Sequence, residues 1–193
     1  MIVKHYWFSP TFVLVAVNVL VYTYTSFIGN NFISTADGVL EIYGQWNYAI
    51  FHYGWWWQLI SSMFVHVDIV HLASNMFFLL LFGLRAEELF TDTECYLVYL
   101  ASGLAGNVLS LLLPPWAISA GASGAIFGLF GAVVIYLRKV VERSVVGALL
   151  FAFIFFMITL SAGTNILAHF GGLVAGLGIG YWLAKKRRIL MGY

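Results

Sequence analysis

Charge is scarce in this sequence: aspartate, glutamate, lysine and arginine make up 9% of its 193 residues, against about 25% in a soluble globular domain. With 62% hydrophobic residues and a mean hydropathy of +0.93, that scarcity excludes an ordinary soluble domain and indicates an integral membrane protein. The single cysteine, Cys95, excludes an internal disulfide, and without a C-x-x-C pair it gives no metal or redox signal. The three prolines, Pro10, Pro114 and Pro115, stand at the ends of apolar runs. A basic patch interleaved with aromatics is also missing, so nothing suggests nucleic acid. No small-x-small cleavage site follows the first apolar run, which is therefore read as a retained signal anchor.

What is abundant is apolar sequence in long runs, each near the roughly 20 residues that cross a bilayer. Six spans are predicted, at approximately residues 10–28, 59–84, 96–113, 118–137, 145–160 and 166–183, in a single domain covering 1–193. The expected fold class is all-α, a polytopic membrane protein of six transmembrane helices. Pro10 suits a first helical turn, where its missing N–H breaks no bond, and Pro114-Pro115 stops the third span. In the second, the outer part from Ser61 to Val67 keeps polar residues, and the apolar helix proper begins near Ile69. Residues 29–58 are expected to form a loop, rich in Trp46, Tyr48, Tyr53, Trp55, Trp56 and Trp57. Tryptophan and tyrosine collect at the membrane–water boundary, so this loop is expected to lie in the interface.

Six spans put both termini on one side, and all nine lysines and arginines then fall on that side. This positive-inside pattern predicts cytoplasmic termini and an outer aromatic loop. A five- or seven-span count would break it. The second, fourth and sixth spans enter from the outer side, which brings His71 and Asn75, Ser123, and His169 to one layer.

Polar side chains in apolar spans are costly and mark function. Gly121-Ala122-Ser123-Gly124 opens the fourth span; alone, such a tetrapeptide serves packing as readily as chemistry. A serine becomes a nucleophile only when a base within hydrogen-bond reach takes its proton. His169 is the only plausible base in the C-terminal half, because the sole acid after Glu94 is Glu142, on the opposite side. The inference is a Ser123–His169 dyad without a carboxylate. Gly124 and Gly128, with Gly172, Gly176 and Gly180, form small-xxx-small rows that let the fourth and sixth helices approach closely. Asn75 and His71 share a helix face at i, i+4 and are candidates, with the Ser123 backbone N–H, for stabilising an oxyanion. The alternative for His71 and Asn75 is interhelical hydrogen bonding. His66, near the outer boundary, is expected to fix a loop. Ser61, Ser62, His66, Asp68, Ser119 and Ser161 are expected to line a wet, outward-open cavity, and Asn107 and Ser110 either join it or bond neighbouring helices.

These residues resemble the rhomboid family of intramembrane serine proteases. The resemblance covers roughly Trp57 to Gly180 and rests on three motifs in order: His66-x4-His71-x3-Asn75, Gly121-Ala122-Ser123-Gly124, and Ala168-His169-x2-Gly172-x3-Gly176. It implies a compact six-helix bundle with a Ser123 nucleophile, a His169 base and an oxyanion site from Asn75, His71 and the Ser123 amide. Gly121, Gly124 and Gly172 would support the site. It implies transmembrane protein substrates met in the lipid bilayer, no metal and no cofactor; oligomeric state is left open. The aromatic loop looks like the family's half-immersed first loop, the fifth span with Ser161–Asn165 like its substrate gate, and Gly83-x3-Glu87 like its Gly–Glu element. Three departures stand out: Trp57-Gln58 where many members have Trp-Arg, Phe127 where a tyrosine often packs on the histidine, and Thr91 near the position of a glycine. The rival readings are a catalytically silent relative that binds transmembrane helices, and a channel or transporter. The second predicts deeper ionisable residues or inverted repeats, and neither is found. The expected location is a plasma membrane, with the site opening to the outer face.

Overall fold

The computed structural model describes residues 9–141, 147, 150, 153, 154 and 164–191. Its helices are α1 (Pro10–Ile28), α2 (Asp37–Tyr43), α3 (Asn47–Tyr53), α4 (Gln58–Ser61), α5 (Ile69–Glu87), α6 (Asp92–Ser110), α7 (Ser123–Tyr136, continued by a π-helical turn Leu137–Val141) and α8 (Ile166–Met191). Two short strands, β1 (Gln45–Trp46) and β2 (Ile118–Ser119), pair antiparallel with Gln45 opposite Ser119. Pro10–Ile28, Ile69–Glu87, Ser123–Val140 and Ile166–Arg187 are each long and apolar enough to cross a membrane. The chain is a multi-pass helical membrane protein. The expected fifth span, 145–160, and most of the Ser161–Asn165 connection lie outside the described residues.

The helix ends explain where the elements depart from the apolar runs. The Asp68 side chain accepts the His71 N–H at 2.7 Å and caps α5, which starts at Ile69, where the apolar helix proper was expected. Thr91 and Glu94 form a capping box that starts α6 at Asp92, four residues before the apolar stretch, and α6 ends at Ser110 with its last apolar residues in a turn. Glu87 accepts the Thr11 N–H at 2.7 Å, satisfying an orphan donor of α1, while a Cβ at Gly83 would stand 2.6 Å from Thr11 Oγ1. Gly83 and Glu87 thus dock α5 on the start of α1. Residues 118–122, expected in the fourth span, are instead strand β2 and a turn.

Residues 29–58 are not a loop: they fold into α2, β1 and α3. Buried side-chain amides hold them. Gln58 donates to the carbonyls of Glu41 (2.7 Å) and Ile42 (3.0 Å) and accepts the Trp46 N–H at 2.9 Å. Gln45 donates to the Asn107 carbonyl at 3.0 Å, and Asn47 to the carbonyls of Ser110 (2.9 Å) and Leu113 (3.1 Å). A neutral glutamine therefore satisfies three backbone groups beside Trp57.

Helix α7 is the centre, with every residue from Ser123 to Val133 buried. It packs on α8 through glycines. A Cβ at Gly172 would lie 2.0 Å from the Gly124 carbonyl oxygen, one at Gly176 2.0 Å from that of Gly128, and one at Gly180 2.6 Å from Ala132. These pairs advance together, so α7 and α8 run parallel with backbones in contact. Gly106 of α6 meets the Ala168 carbonyl oxygen from the other side, where a Cβ would stand at 2.4 Å.

Candidate active site

Three segments converge at the start of α7. The turn before it is held by the Gly121 N–H, which donates to the Ser62 carbonyl at 2.9 Å. Gly121 has φ +132°, a conformation that favours glycine. A Cβ there would also meet His71 Cε1 at 2.7 Å, so the missing side chain leaves room for the imidazole. Ser123 is the first residue of α7, where backbone N–H groups lack intrahelical partners and the helix dipole favours negative charge.

His169 lies four residues into α8, and its Nε2 is 2.7 Å from Ser123 Oγ. Both residues are buried. The Phe127 ring, one turn after the serine, stacks on the His169 imidazole with centroids 4.4 Å apart and planes 12° apart. Phe153 meets the Phe127 ring edge-on at 4.9 Å and stacks on Phe130 at 4.8 Å. The imidazole is therefore held in plane by an aromatic wall that needs no hydroxyl. Gly124 and Gly172, in the seam just below, set the helix separation over which serine and histidine meet.

On α5, the Asn75 Nδ2 donates to the His71 carbonyl at 2.9 Å, spending one of its two hydrogens. Its Oδ1 and His71 Nδ1 are buried with no hydrogen-bond partner among the described residues. His71 stands beside the turn that leads to Ser123, and Asn75 lies one turn further along α5. His66 is fully buried, with its ring edge-to-face on His71 at 5.2 Å, so it backs His71.

The residues expected to line a wet cavity are largely committed to the scaffold. Ser61 Oγ donates to the Tyr43 carbonyl at 2.8 Å, Ser62 Oγ accepts from Asn107 at 2.9 Å, Ser119 accepts from Asn165 at 2.8 Å, and Asp68 caps α5. Asn107 donates to the Leu59 carbonyl at 2.8 Å, and Ser110 Oγ accepts from Asn165 at 2.7 Å while donating within α6 to the Gly106 carbonyl. Ser161 lies outside the described residues. A cleft of about 270 Å³ lies between the end of α6, β2 and the start of α8, lined by Leu113, Ala117–Ser119 and Thr164–Leu167. Among the described residues no three histidines, cysteines or carboxylates gather as a metal site would require. The amides Gln45, Asn47 and Asn165 were not singled out from sequence, and Gln58 only as a departure from the family pattern. The available signal was amide side chains beside turns and helix starts in a chain with few other polar groups.

The Rhomboid domain, as a family sequence model, matches residues 53–186. The chain belongs to the rhomboid family. Over 136 residues it is 38% identical to RHOMBOID-like protein 6, mitochondrial, of Arabidopsis thaliana, a match covering 67% of this chain and 44% of that protein. It is 30% identical over 138 residues to Rhomboid-like protease 3 of Toxoplasma gondii, covering 67% of this chain and 52% of the relative. It is 32% identical over 174 residues to Rhomboid protease GluP of Bacillus subtilis, covering 86% and 33%. The chain thus spans about a third to a half of the length of these curated relatives. Two of these rhomboids are named as proteases, which makes intramembrane proteolysis the activity found at family level. Relatives named for mitochondria and chloroplasts mean that family membership assigns a membrane without choosing which one.

Proposed function

We propose that this rhomboid is an active intramembrane serine endopeptidase in which Ser123 is the nucleophile and His169 the general base. The observation that carries the reading is the 2.7 Å contact between Ser123 Oγ and His169 Nε2 in a buried setting. With Nε2 as acceptor, His169 takes the hydroxyl proton as Oγ attacks the scissile carbonyl, then returns it to the leaving amine. Water, activated by the same nitrogen, releases the acyl group from Ser123. The negative oxygen formed in each step needs donors, and the Ser123 N–H, the Asn75 carboxamide and the His71 imidazole are the groups at hand. Loss of one such donor costs about 10²–10³ in rate. Phe127 fills the place of an orienting partner by stacking on the imidazole.

A helical substrate presents its carbonyls to its own backbone, so the scissile bond must be reached in extended form. Substrates are therefore transmembrane proteins with small or helix-breaking residues near the membrane boundary. Chemistry of this kind needs neither metal nor cofactor. The location that fits the charge pattern is a plasma membrane, with both termini cytoplasmic and the site opening to the outer face. The alternative is a silent relative that binds transmembrane helices; retention of both serine and histidine at hydrogen-bond distance argues against it.

Labelling of the purified protein with a serine-directed fluorophosphonate tests the assignment. Wild type is expected to label, and Ser123→Ala and His169→Ala to fold normally without labelling. Labelling that persists in folded His169→Ala contradicts the assigned base, and labelling in Ser123→Ala contradicts the nucleophile.

A further inference from the structure

The seam that brings α8 against α7 is made of glycine and alanine, which fix how close two helices lie but oppose sliding along the axis only weakly. A hydrogen bond of 2.7 Å between side chains on the two helices depends on that axial register. Polar contacts between elements must set it, and at the end of α8 that carries His169 one residue supplies two of them and caps the helix.

Asn165 stands immediately before α8 and has three hydrogen-bonding functions of its side chain in use. Its Oδ1 accepts the Ala168 N–H at 3.0 Å, capping the helix. Its Nδ2 donates to Ser110 Oγ at 2.7 Å and to Ser119 Oγ at 2.8 Å. Its backbone carbonyl accepts the N–H of His169 itself at 3.3 Å. Ser110 is the last residue of α6 and spends its own hydrogen on the Gly106 carbonyl at 2.8 Å, which leaves its oxygen to accept. Ser119 belongs to β2, paired with Gln45 of the first-loop segment, and four residues later the chain reaches Ser123. One carboxamide therefore joins the segment that leads to the nucleophile, the first turn of the helix that carries the base, and the helix end between them.

We infer that Asn165 is a positioning residue for the Ser123–His169 pair, acting by clamping the start of α8 to β2 and α6. The inference rests on the protease reading above. Only a carboxamide supplies two donors and one acceptor within this reach: aspartate loses the donors, glutamine is one methylene too long, and alanine loses all three contacts. A shift of about 1 Å between reacting groups costs roughly 10²-fold in rate, so the clamp acts on turnover rather than on substrate affinity.

The test is fluorophosphonate labelling of the full chain, following the rate constant and the final labelled fraction separately, with kcat per labelled site on a transmembrane reporter. Asn165→Ala is expected to lower the labelling rate constant and kcat together by about 10- to 100-fold, to leave KM within about threefold, and to keep the labelled fraction of wild type. Ser119→Ala, which removes one arm and spares the helix cap, is expected to slow labelling by less, and adding it to Asn165→Ala is expected to slow labelling no further. A merely structural role gives the opposite split: a reduced labelled fraction at an unchanged rate constant overturns the inference. If Asn165→Ala does not fold, Ser119→Ala decides: a wild-type rate constant overturns the clamp. Wild type that labels at Ser123, with both variants labelling at its rate, removes the clamp and leaves the protease reading standing. Folded wild type that fails to label at Ser123 removes both.

Discussion

At residue 121 two demands meet in one atom that is not there. The backbone has φ +132°, and an added Cβ would stand 2.7 Å from His71 Cε1 and 3.0 Å from its Nε2. Gly121→Ala therefore strains the turn and displaces the imidazole, at a cost of about 1–3 kcal/mol. Denaturation should register that loss, and fluorophosphonate labelling should fall well beyond what the lost folded fraction explains; labelling at the wild-type rate would mean that His71 has no part in the site. The residues bearing reactive groups were the legible ones. Ser123 and His169 stand out because a hydroxyl and an imidazole in apolar spans have few reasons to be there. Asn165 was hidden because an amide beside a turn is ordinary, Gln58 was visible only as a departure from the family pattern, and only the fold reveals which groups each one satisfies. Phe127 was legible through the family resemblance alone, and the geometry adds that its ring face stacks on the His169 imidazole.

Among the elements, the α7–α8 seam makes the sharpest forecast, because glycines on one helix differ in what surrounds them. A methyl at Gly172 would come within 2.0 Å of the Gly124 carbonyl oxygen, whereas one at Gly178 would meet nothing within 4 Å. Gly172→Ala must push two backbones apart, costing about 1–3 kcal/mol or more, and is expected to abolish labelling by lengthening the Ser123–His169 contact. Gly178→Ala is expected to label normally and to raise stability by up to about 1 kcal/mol through helix propensity. Equal behaviour of the two variants would contradict the seam. The apolar runs located α1 at both ends and the start of α5, and missed the starts of α6 and α7. Thr91 and Glu94 start α6 by capping, a signal read three or four residues at a time, while hydropathy is averaged over a whole span. The first-loop segment was misread for the same reason: its short helices are held by buried amides and not by an apolar stripe of their own.

Among the described residues, the proposed dyad and the positive charges occupy opposite ends. α5, α7 and α8 run the same way, with His71, Ser123 and His169 near their starts and Arg85, Arg138, Lys139 and Lys185–Arg187 near their ends. Arg187 ties the far end together: it pairs with Glu94 at 2.7 Å, donates to Tyr136 Oη at 2.8 Å and to the Leu89 carbonyl, and lies over the Phe90 and Tyr136 rings. Arg187→Ala leaves a carboxylate and a carbonyl short of a donor and is expected to cost about 1–3 kcal/mol. His169 is eighteen residues away, about 27 Å along the helix, so labelling per folded molecule should not change; a slowed rate constant would mean that the two ends are coupled. The polarity itself was legible from the one-sided lysines and arginines, whereas the convergence of α6, β2 and α8 on one carboxamide required the fold. The central claim is that Ser123, activated by His169, cleaves transmembrane protein. Its most direct test is a reporter with a helix-destabilised transmembrane segment, reconstituted in liposomes with wild type, Ser123→Ala or His169→Ala and read by mass spectrometry of the products. Cleavage within or beside the segment by wild type alone is the predicted result; cleavage by either folded variant, or none by a wild type that labels with fluorophosphonate, would contradict the account.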